Sequence, residues 1–182
     1  MVDGMIAALG TEIYAGLGAA GALGLAAGGC AYAALSPGSR IFGSALTAPE
    51  RAEELALTFD DGPNPRWTPR LLDVLATHNV KATFFMMGSR AQMQPALVQR
   101  VVAEGHLIGN HTWSHPNLAM TSARKVREEL VRTTGTLELI SGQRVEYFRP
   151  PCGARRPAVC QIARELGLRV VTGNAMTSGW SE

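Results

Sequence analysis

The chain carries the stretch LALTFDDGP at residues 55–63, in which an apolar run ends on two consecutive aspartates, Asp60 and Asp61. A second stretch, GNHTWSHP at residues 109–116, places His111 and His115 four positions apart. One carboxylate and two imidazoles are a ligand set for a divalent metal ion, and the other carboxylate is then available to take a proton from a metal-bound water. The two stretches together predict a metal-assisted hydrolase.

Short β-rich runs alternate with helix-length amphipathic runs from residue 54 onward. Strands are predicted at residues 54–59, 82–87, 106–110, 145–148 and 168–172. The first helix is predicted to begin after a cap at Thr68, with Pro69 as its first residue, and to end near residue 78. Further helices are predicted at residues 91–104, from 121 onward and at 157–166. This alternation favours an α/β fold, either a parallel sheet or a distorted, incomplete (β/α) barrel with parallel strands.

The side chains that could bind a metal or transfer a proton lie at the ends of predicted strands. Asp60 and Asp61 follow the first strand, His111 the third and Arg149 the fourth. In parallel α/β folds the functional groups gather beyond the carboxyl ends of the strands. Convergence of three strand ends on one rim indicates a site more strongly than any one motif does.

Composition and charge exclude some functions. The chain has 182 residues and a net charge of +2, with no run of five or six like charges, so no nucleic-acid partner is predicted. Cys30, Cys152 and Cys160 are too few for a disulfide framework, and we interpret the last two as ordinary free thiols.

The N-terminal segment differs from the remainder of the chain. Residues 13–39 contain no charged side chain and are rich in Ala, Gly and Leu, and this length exceeds the ~20 residues that cross a bilayer. We predict a transmembrane helix as a membrane anchor at residues 1–39, a linker at 40–53 and the globular domain at 54–182. A signal peptide cleaved near residues 31–33 or a buried helix are the alternatives, although no Lys or Arg precedes the apolar stretch.

Three motifs carry a resemblance to a known family. TFDDGP at residues 58–63, HTWSHPNL at 111–118 and FRPPCG at 148–153 resemble, in order and spacing, the first three signature motifs of the polysaccharide deacetylases, carbohydrate esterase family four. FFMMG at residues 84–88 is similar to the second strand of that family. The likeness runs from residue 54 to the C-terminus and leaves the first fifty residues outside it.

The resemblance implies a role for each matching residue. Asp60 would be the general base, and Arg149 would hold its carboxylate. The backbone amide of Cys152 would help to bind the oxyanion, at a position where the family more often has tyrosine. The implied cofactor is a divalent metal ion, with zinc as the default, and its ligands would be Asp61, His111 and His115.

The implied reaction is removal of N-acetyl groups from a cell-wall or chitin-like polysaccharide. Such polymers lie outside the cytoplasmic membrane, so we expect an extracytoplasmic domain on a membrane anchor. The basic residues Arg40 and Arg51 follow the apolar segment and would favour the opposite orientation, but long domains translocate largely regardless of flanking charge. The sequence leaves the polymer, the acyl group and the oligomeric state open.

The C-terminal end departs from the family pattern. Gly173 stands where the family has a Trp, Gly179 and Trp180 stand where it has Asp-Trp, and the chain ends at Glu182 before any late Leu-x-x-His motif. The resemblance therefore implies a C-terminally incomplete domain without the histidine general acid, an absence expected to reduce the rate by about two to four orders of magnitude.

Two other functions fit the same residues. One is an inactive, metal-containing remnant that binds glycan or a partner, and the other is an amide hydrolase of the same fold with a different substrate. Each motif also has an ordinary structural explanation when it is taken alone. Asp-Asp-Gly-Pro is common in turns, and two histidines four apart can share a helical face without a metal, although Pro116 favours a loop there.

Overall fold

Helices and parallel strands alternate along the chain, as the sequence predicts. The computed structural model describes residues 45–46, 55–153 and 156–173, together with residues 24–25 and 28–29. The strands are β1 (Thr58–Gly62), β2 (Thr83–Met86), β3 (Leu107–Asn110), β4 (Tyr147–Phe148) and β5 (Arg169–Val170). The helices are α1 (Trp67–Thr77), α2 (Gly88–Met93), α3 (Pro95–Ala103), α4 (Ala123–Ser141) and α5 (Pro157–Glu165), with a 3-10 turn at Pro151–Gly153.

The strands form one parallel sheet in the order β1-β2-β3-β4-β5. A doubly wound sheet reverses its direction of growth at a switch point, whereas this order grows in one direction only, as in a (β/α) barrel. The α/β fold with parallel strands is therefore confirmed. Beyond β5, Leu46 forms a parallel bridge with Val171, so part of the predicted linker pairs with the far edge of the sheet.

The first strand lies further along the chain than predicted. Residues 54–59 were expected to form it, but β1 begins at Thr58 and continues through both aspartates to Gly62. Leu55 is 84% exposed and does not contribute to the core. The apolar run indicated the presence of a strand but not its limits, because pairing with β2 sets the register.

Two helix predictions need correction. The first helix begins at Trp67 rather than at a Thr68 cap, because the side chain of Asn64 accepts hydrogen bonds from the backbone N–H groups of Arg66 and Trp67. The single helix expected at residues 91–104 is two helices, α2 and α3, separated at Gln94. Gln94 precedes Pro95, which disfavours helical torsions in the residue before it.

The core lies between the sheet and the surrounding helices. Strand residues supply its centre, and helices α1, α3, α4 and α5 cover them with aliphatic side chains at helical spacing. The largest apolar side chains that are almost fully buried are Leu72, Phe85, Met86, Val98, Val101, Leu118, Val126, Leu130, Leu137 and Phe148.

The predicted membrane anchor at residues 1–39 lies outside the described residues, apart from four positions. Within the part of the chain that the structure describes, no helix combines the length and apolar content needed to cross a membrane.

Candidate metal centre

A bulge in β1 directs two neighbouring carboxylates toward one site. Successive side chains of a regular strand point to opposite faces of the sheet. The residue pairs on either side of the irregularity are Phe59–Phe84 and Gly62–Met86. Here β1 has two residues, Asp60 and Asp61, where β2 has one, and Asp61 adopts a left-handed φ of 63°. Such a bulge turns a side chain that would otherwise point away.

The two histidines lie in a loop that begins where β3 ends. His111 is 2% exposed, whereas the side chain of His115 is 31% exposed. Thr112 and His115 both have positive φ, 66° and 57°, so the loop reverses direction tightly and is not a helix. The preference for a loop over a helical histidine pair is confirmed.

Asp61, His111 and His115 form a group that could hold a metal ion, with one ligand atom from each residue within 4.8 Å of the others. The Asp61 carboxylate oxygen Oδ1 lies 3.5 Å from Nε2 of His111 and 3.3 Å from Nε2 of His115. Two imidazole nitrogens and one carboxylate oxygen are a common set of three protein ligands in catalytic zinc sites. The donor set therefore fits a divalent metal ion.

His111 is held in the tautomer that a metal ligand requires. Its Nδ1 lies 2.8 Å from the backbone carbonyl oxygen of Arg149, and a carbonyl can only accept a hydrogen bond. Nδ1 must therefore carry the proton, which leaves the lone pair of Nε2 on the side of Asp61. Burial lowers the pKa of His111 below 6.5, against the opposing effect of the Asp60 carboxylate, and this favours the neutral ring.

Arg149 connects the two parts of the site. Its guanidinium donates from one nitrogen to the Asp60 carboxylate at 2.9 Å and to the Thr58 hydroxyl at 2.7 Å. The same guanidinium stacks on Phe85, with Cζ 4.3 Å from the ring centroid. Arg149 thus holds Asp60 through its side chain and His111 through its backbone carbonyl.

The structure brings together five of the six predicted site residues, Asp60, Asp61, His111, His115 and Arg149. The sixth, Cys152, is exposed and lies in the 3-10 turn that follows Arg149, with a left-handed φ of 54°. Its role as an oxyanion donor stays a prediction. Cys152 and Cys160 are not joined in a disulfide, as predicted.

Sequence reasoning missed a residue that contacts the histidine loop. Glu129 in α4 is 1% exposed and accepts hydrogen bonds from the backbone N–H groups of Trp113 and Ser114, both at 2.8 Å. Glu129 lies beside Val126 and Leu130 on the apolar side, so an acid on the inward stripe was the available signal.

The fold and the site define a parallel α/β protein with a candidate metal centre at the carboxyl ends of its strands. The chain matches the polysaccharide deacetylase family over residues 47–171, more than half of its length. It belongs to that family. The resemblance of its three motifs is therefore confirmed at the level of the family.

Three similar proteins illustrate the range of that family. The chain is 41% identical over 136 residues to a peptidoglycan-N-acetylglucosamine deacetylase of Bacillus cereus, covering 75% of this chain and 50% of that protein. It is 38% identical over 131 residues to a chitooligosaccharide deacetylase of Sinorhizobium fredii, covering 71% of this chain and 61% of that protein. A solved family four pseudoenzyme from Bacillus anthracis is 31% identical with a TM-score of 0.62, covering 64% of this chain and 41% of the other. The chain thus spans about half the length of these relatives.

Proposed function

We propose that this chain is a metal-dependent hydrolase domain that removes N-acetyl groups from a cell-wall or chitin-like polysaccharide. The observation that carries the proposal is the Asp61, His111 and His115 cluster beside a second carboxylate, Asp60, that is held separately by Arg149. The relatives named as deacetylases of peptidoglycan N-acetylglucosamine and of chitooligosaccharide support an N-acetylated sugar as substrate.

Asp61, His111 and His115 would hold the metal, with zinc as the default ion for two imidazoles and one carboxylate. A bound divalent ion would supply positive charge that makes water more acidic near neutral pH and polarises the amide carbonyl. The Nδ1–H of His111 stays hydrogen-bonded to the protein, so its ring keeps the same orientation when Nε2 binds.

Asp60 is the group placed to accept a proton. Its hydrogen bond to Arg149 fixes the carboxylate beside the candidate metal ligands and keeps it as a separate base. In the reaction, water adds its oxygen to the amide carbon while Asp60 takes one of the water protons. The C–N bond then breaks as the sugar nitrogen takes that proton from Asp60 and becomes an amine, and the acetyl group leaves as acetic acid, which ionises to acetate.

Charge that develops on the amide oxygen requires donors that are already in place. Pro150 and Pro151 are buried and restrict the backbone that leads to Cys152. We assign the Cys152 backbone N–H as one such donor, because a rigid donor needs no reorganisation as the charge forms. A backbone donor also tolerates cysteine at this position.

Acetate release tests the proposal. We expect the zinc-loaded chain to release acetate from N-acetylated chito-oligosaccharide or peptidoglycan fragments, and Asp60→Asn to reduce the rate by about 10²- to 10⁴-fold with zinc affinity retained. Equal rates for the two proteins would contradict a catalytic role for Asp60. Loss of zinc binding in Asp60→Asn would instead place this residue among the ligands.

An inactive, metal-binding member of the family is the second candidate. It is favoured by the similarity to a family four pseudoenzyme. The same experiment separates the two functions. If the chain binds zinc but releases no more acetate than Asp60→Asn does, the inactive alternative is correct for this chain.

We also propose that the domain works on the outer face of the cytoplasmic membrane, anchored through residues 1–39. The support is the uncharged segment at residues 13–39 and the cell-wall polymer named for the Bacillus cereus relative. A C-terminal epitope tag on the full chain in spheroplasts should be removed by external protease. Protection of the tag until the cells are lysed would contradict this location.

A further inference from the structure

Glu129 is an acid in a place where acids are rare. It lies in the middle of α4, it is 1% exposed, and its neighbours on the inward face are the buried residues Val126, Leu130 and Thr133. Carboxylates are almost never fully buried unless hydrogen bonds or charges compensate the lost hydration. The partners of this carboxylate therefore indicate why the residue is there.

Those partners lie between the two histidines of the candidate metal centre. Oε2 of Glu129 accepts from the backbone N–H groups of Trp113 and Ser114, both at 2.8 Å, and Oε1 accepts from the Ser114 hydroxyl at 2.9 Å. The Lys125 ammonium, one helical turn away, is 3.4 Å from Oε1. A single carboxylate thus satisfies three donors, two backbone N–H groups and one hydroxyl, of the loop segment that separates His111 from His115.

The loop needs such support, because Thr112 and His115 both hold the left-handed conformation. Torsions of this kind in residues other than glycine persist only where the surroundings fix them. The N–H of His115 donates to the Thr112 hydroxyl at 3.2 Å, and the Thr112 N–H donates to the Asn110 side chain. The loop carbonyls of Thr112 and Trp113 accept from the N–H groups of Gly88 and Ser89, so Glu129 is the acceptor for the two N–H groups that these bonds leave. Without Glu129, two adjacent backbone donors would have to find other acceptors.

The two histidines depend on this support unequally. His111 follows β3 directly and is fixed by the Arg149 carbonyl, independently of α4. His115 follows the Trp113 and Ser114 segment, and its Nε2 reaches Asp61 only if the loop keeps its shape. A loss of Glu129 should therefore act on the metal through His115.

We infer that Glu129 is a positioning residue for the metal centre, whose carboxylate sets the affinity for the ion by holding His115 in place. The inference rests on the proposed function, because it takes Asp61, His111 and His115 as the ligands. It goes beyond that proposal by assigning the stability of the ligand geometry to a residue that touches neither metal nor substrate.

The experiment is a measurement of zinc affinity by competition with a chelator, at a temperature where each variant is folded. We expect Glu129→Leu to weaken zinc binding by about 10- to 100-fold, the usual effect of losing a residue that orients a metal ligand. Glu129→Gln should stay within a few-fold of wild type, because its amide oxygen can still accept from both N–H groups. Glu128→Leu is the matched control, since Glu128 is half-exposed on the same helix, and it should bind zinc as wild type does.

A double-mutant cycle separates positioning from general stability. If Glu129 acts through His115, the Glu129→Leu/His115→Ala double variant should bind zinc no more weakly than His115→Ala alone. Additive losses, or a Glu129→Leu variant that melts earlier but binds zinc as tightly as wild type, would overturn the inference. If Glu129→Leu does not fold, Ser114→Ala replaces it in the cycle, because that change removes one hydrogen bond and leaves the carboxylate and both N–H donors.

The outcomes also distinguish this inference from the proposed function. If the wild-type chain binds zinc no better than a variant without Asp61 and His111, the metal centre itself is wrong and both proposals fail. If wild type binds zinc and releases acetate while Glu129→Leu does the same with unchanged affinity, the positioning role alone fails.

Discussion

The two segments that supply the candidate ligands are held in place by different means. The Asp60 and Asp61 segment belongs to β1, where backbone pairing with β2 fixes it on both sides of a bulge. The His111 and His115 segment continues into a loop, in which the N–H groups of Trp113 and Ser114 end on the side chain of Glu129. A segment held by a sheet tolerates most side-chain changes nearby, whereas a loop held by side chains depends on a few individual residues.

Loss of a candidate ligand should have the largest effect on zinc binding. Comparing one ligand from each segment should also distinguish the two segments by their effect on stability. Asp61→Asn and His111→Ala are both expected to weaken zinc binding by more than about 100-fold, beyond the usual cost of losing a residue that only orients a ligand. Their effects on the metal-free protein should differ. His111 is buried and donates to Arg149, so its loss leaves a carbonyl unpaired and costs about 1–3 kcal/mol, whereas Asp61 is exposed and should change stability by less than ~0.5 kcal/mol.

Chelator competition gives the zinc affinities, and urea unfolding of the metal-free variants gives the stabilities. Similar free energies of unfolding for the two variants would contradict the stabilising role assigned to the buried His111 ring and its hydrogen bond to Arg149.

Arg149 contacts both segments, but its side chain reaches Asp60 and not a candidate metal ligand. Its replacement should therefore lower the rate of acetate release more than the affinity for zinc. Arg149→Met removes the hydrogen bond to Asp60 but leaves the backbone carbonyl that holds His111. We expect acetate release to fall by about 10²-fold, the order of loss that misplacing a reacting group produces, with zinc affinity within a few-fold of wild type. Arg149→Lys should recover part of the rate, and an equal loss of rate and zinc affinity in Arg149→Met would argue for a structural role.

Substitution of Gly88 tests how tightly the loop that carries His111 and His115 is packed. A Cβ at this position would lie 2.4 Å from the Trp113 ring and 2.8 Å from the Thr133 hydroxyl, and Arg132 stacks on the same ring with its Cζ 3.6 Å from the centroid. Gly88→Ala should lower the free energy of unfolding by about 1–3 kcal/mol, the usual cost of overpacking, and weaken zinc binding.

Gly135→Ala is the matched control for that change, because a Cβ there meets no atom within 4 Å. Since Gly135 lies inside α4, the substitution should raise the stability by about 0.5–1 kcal/mol. Urea unfolding of both variants measures the contrast, and a stable Gly88→Ala protein with normal zinc affinity would show that Trp113 moves without cost to the loop.

The smallest effect is expected at the opposite end of the strands, where His106 precedes β3. Its Nδ1 accepts a hydrogen bond from the Ala82 N–H at 3.2 Å, and burial lowers the pKa of His106, with a further contribution from Lys81. Between this lowered pKa and the ordinary value of 6.5 the unfolded chain binds more protons than the folded one. Stability due to His106 is therefore complete above about pH 6.5 and decreases as the pH falls below it.

His106→Gln cannot titrate, so the stability difference between wild type and this variant should shrink as the pH is lowered from 7.5 to 5.5. Urea unfolding at several pH values measures it, and other titrating groups such as His111 cancel in the difference. A pH-independent difference would show that His106 does not contribute through its protonation state.

The sequence predicted much of the fold because periodic apolar patterns and helix-ending glycines are local signals. The apolar pattern predicts five strands, and the described part of the chain has five parallel strands whose carboxyl ends bring the predicted metal ligands together. The limits of β1, the break at Gln94 and the hydrogen bonds of Asn64 at the start of the first helix are not predicted. The break at Gln94 follows from Pro95, a local signal that apolar periodicity does not register. The other two depend on pairing in the folded chain, about which that periodicity carries no information.

The amino-acid sequence by itself determined the residue types of the candidate site and their order along the chain, because carboxylate, imidazole and guanidinium chemistry is a property of single residues. Tertiary structure decided the geometry. The bulge that turns Asp61 toward the histidines exists only through pairing with β2, and Glu129 became a partner of the loop only when α4 packed against it. Both are contacts between segments distant in the chain, so the position of each group is settled by the packing of the whole domain.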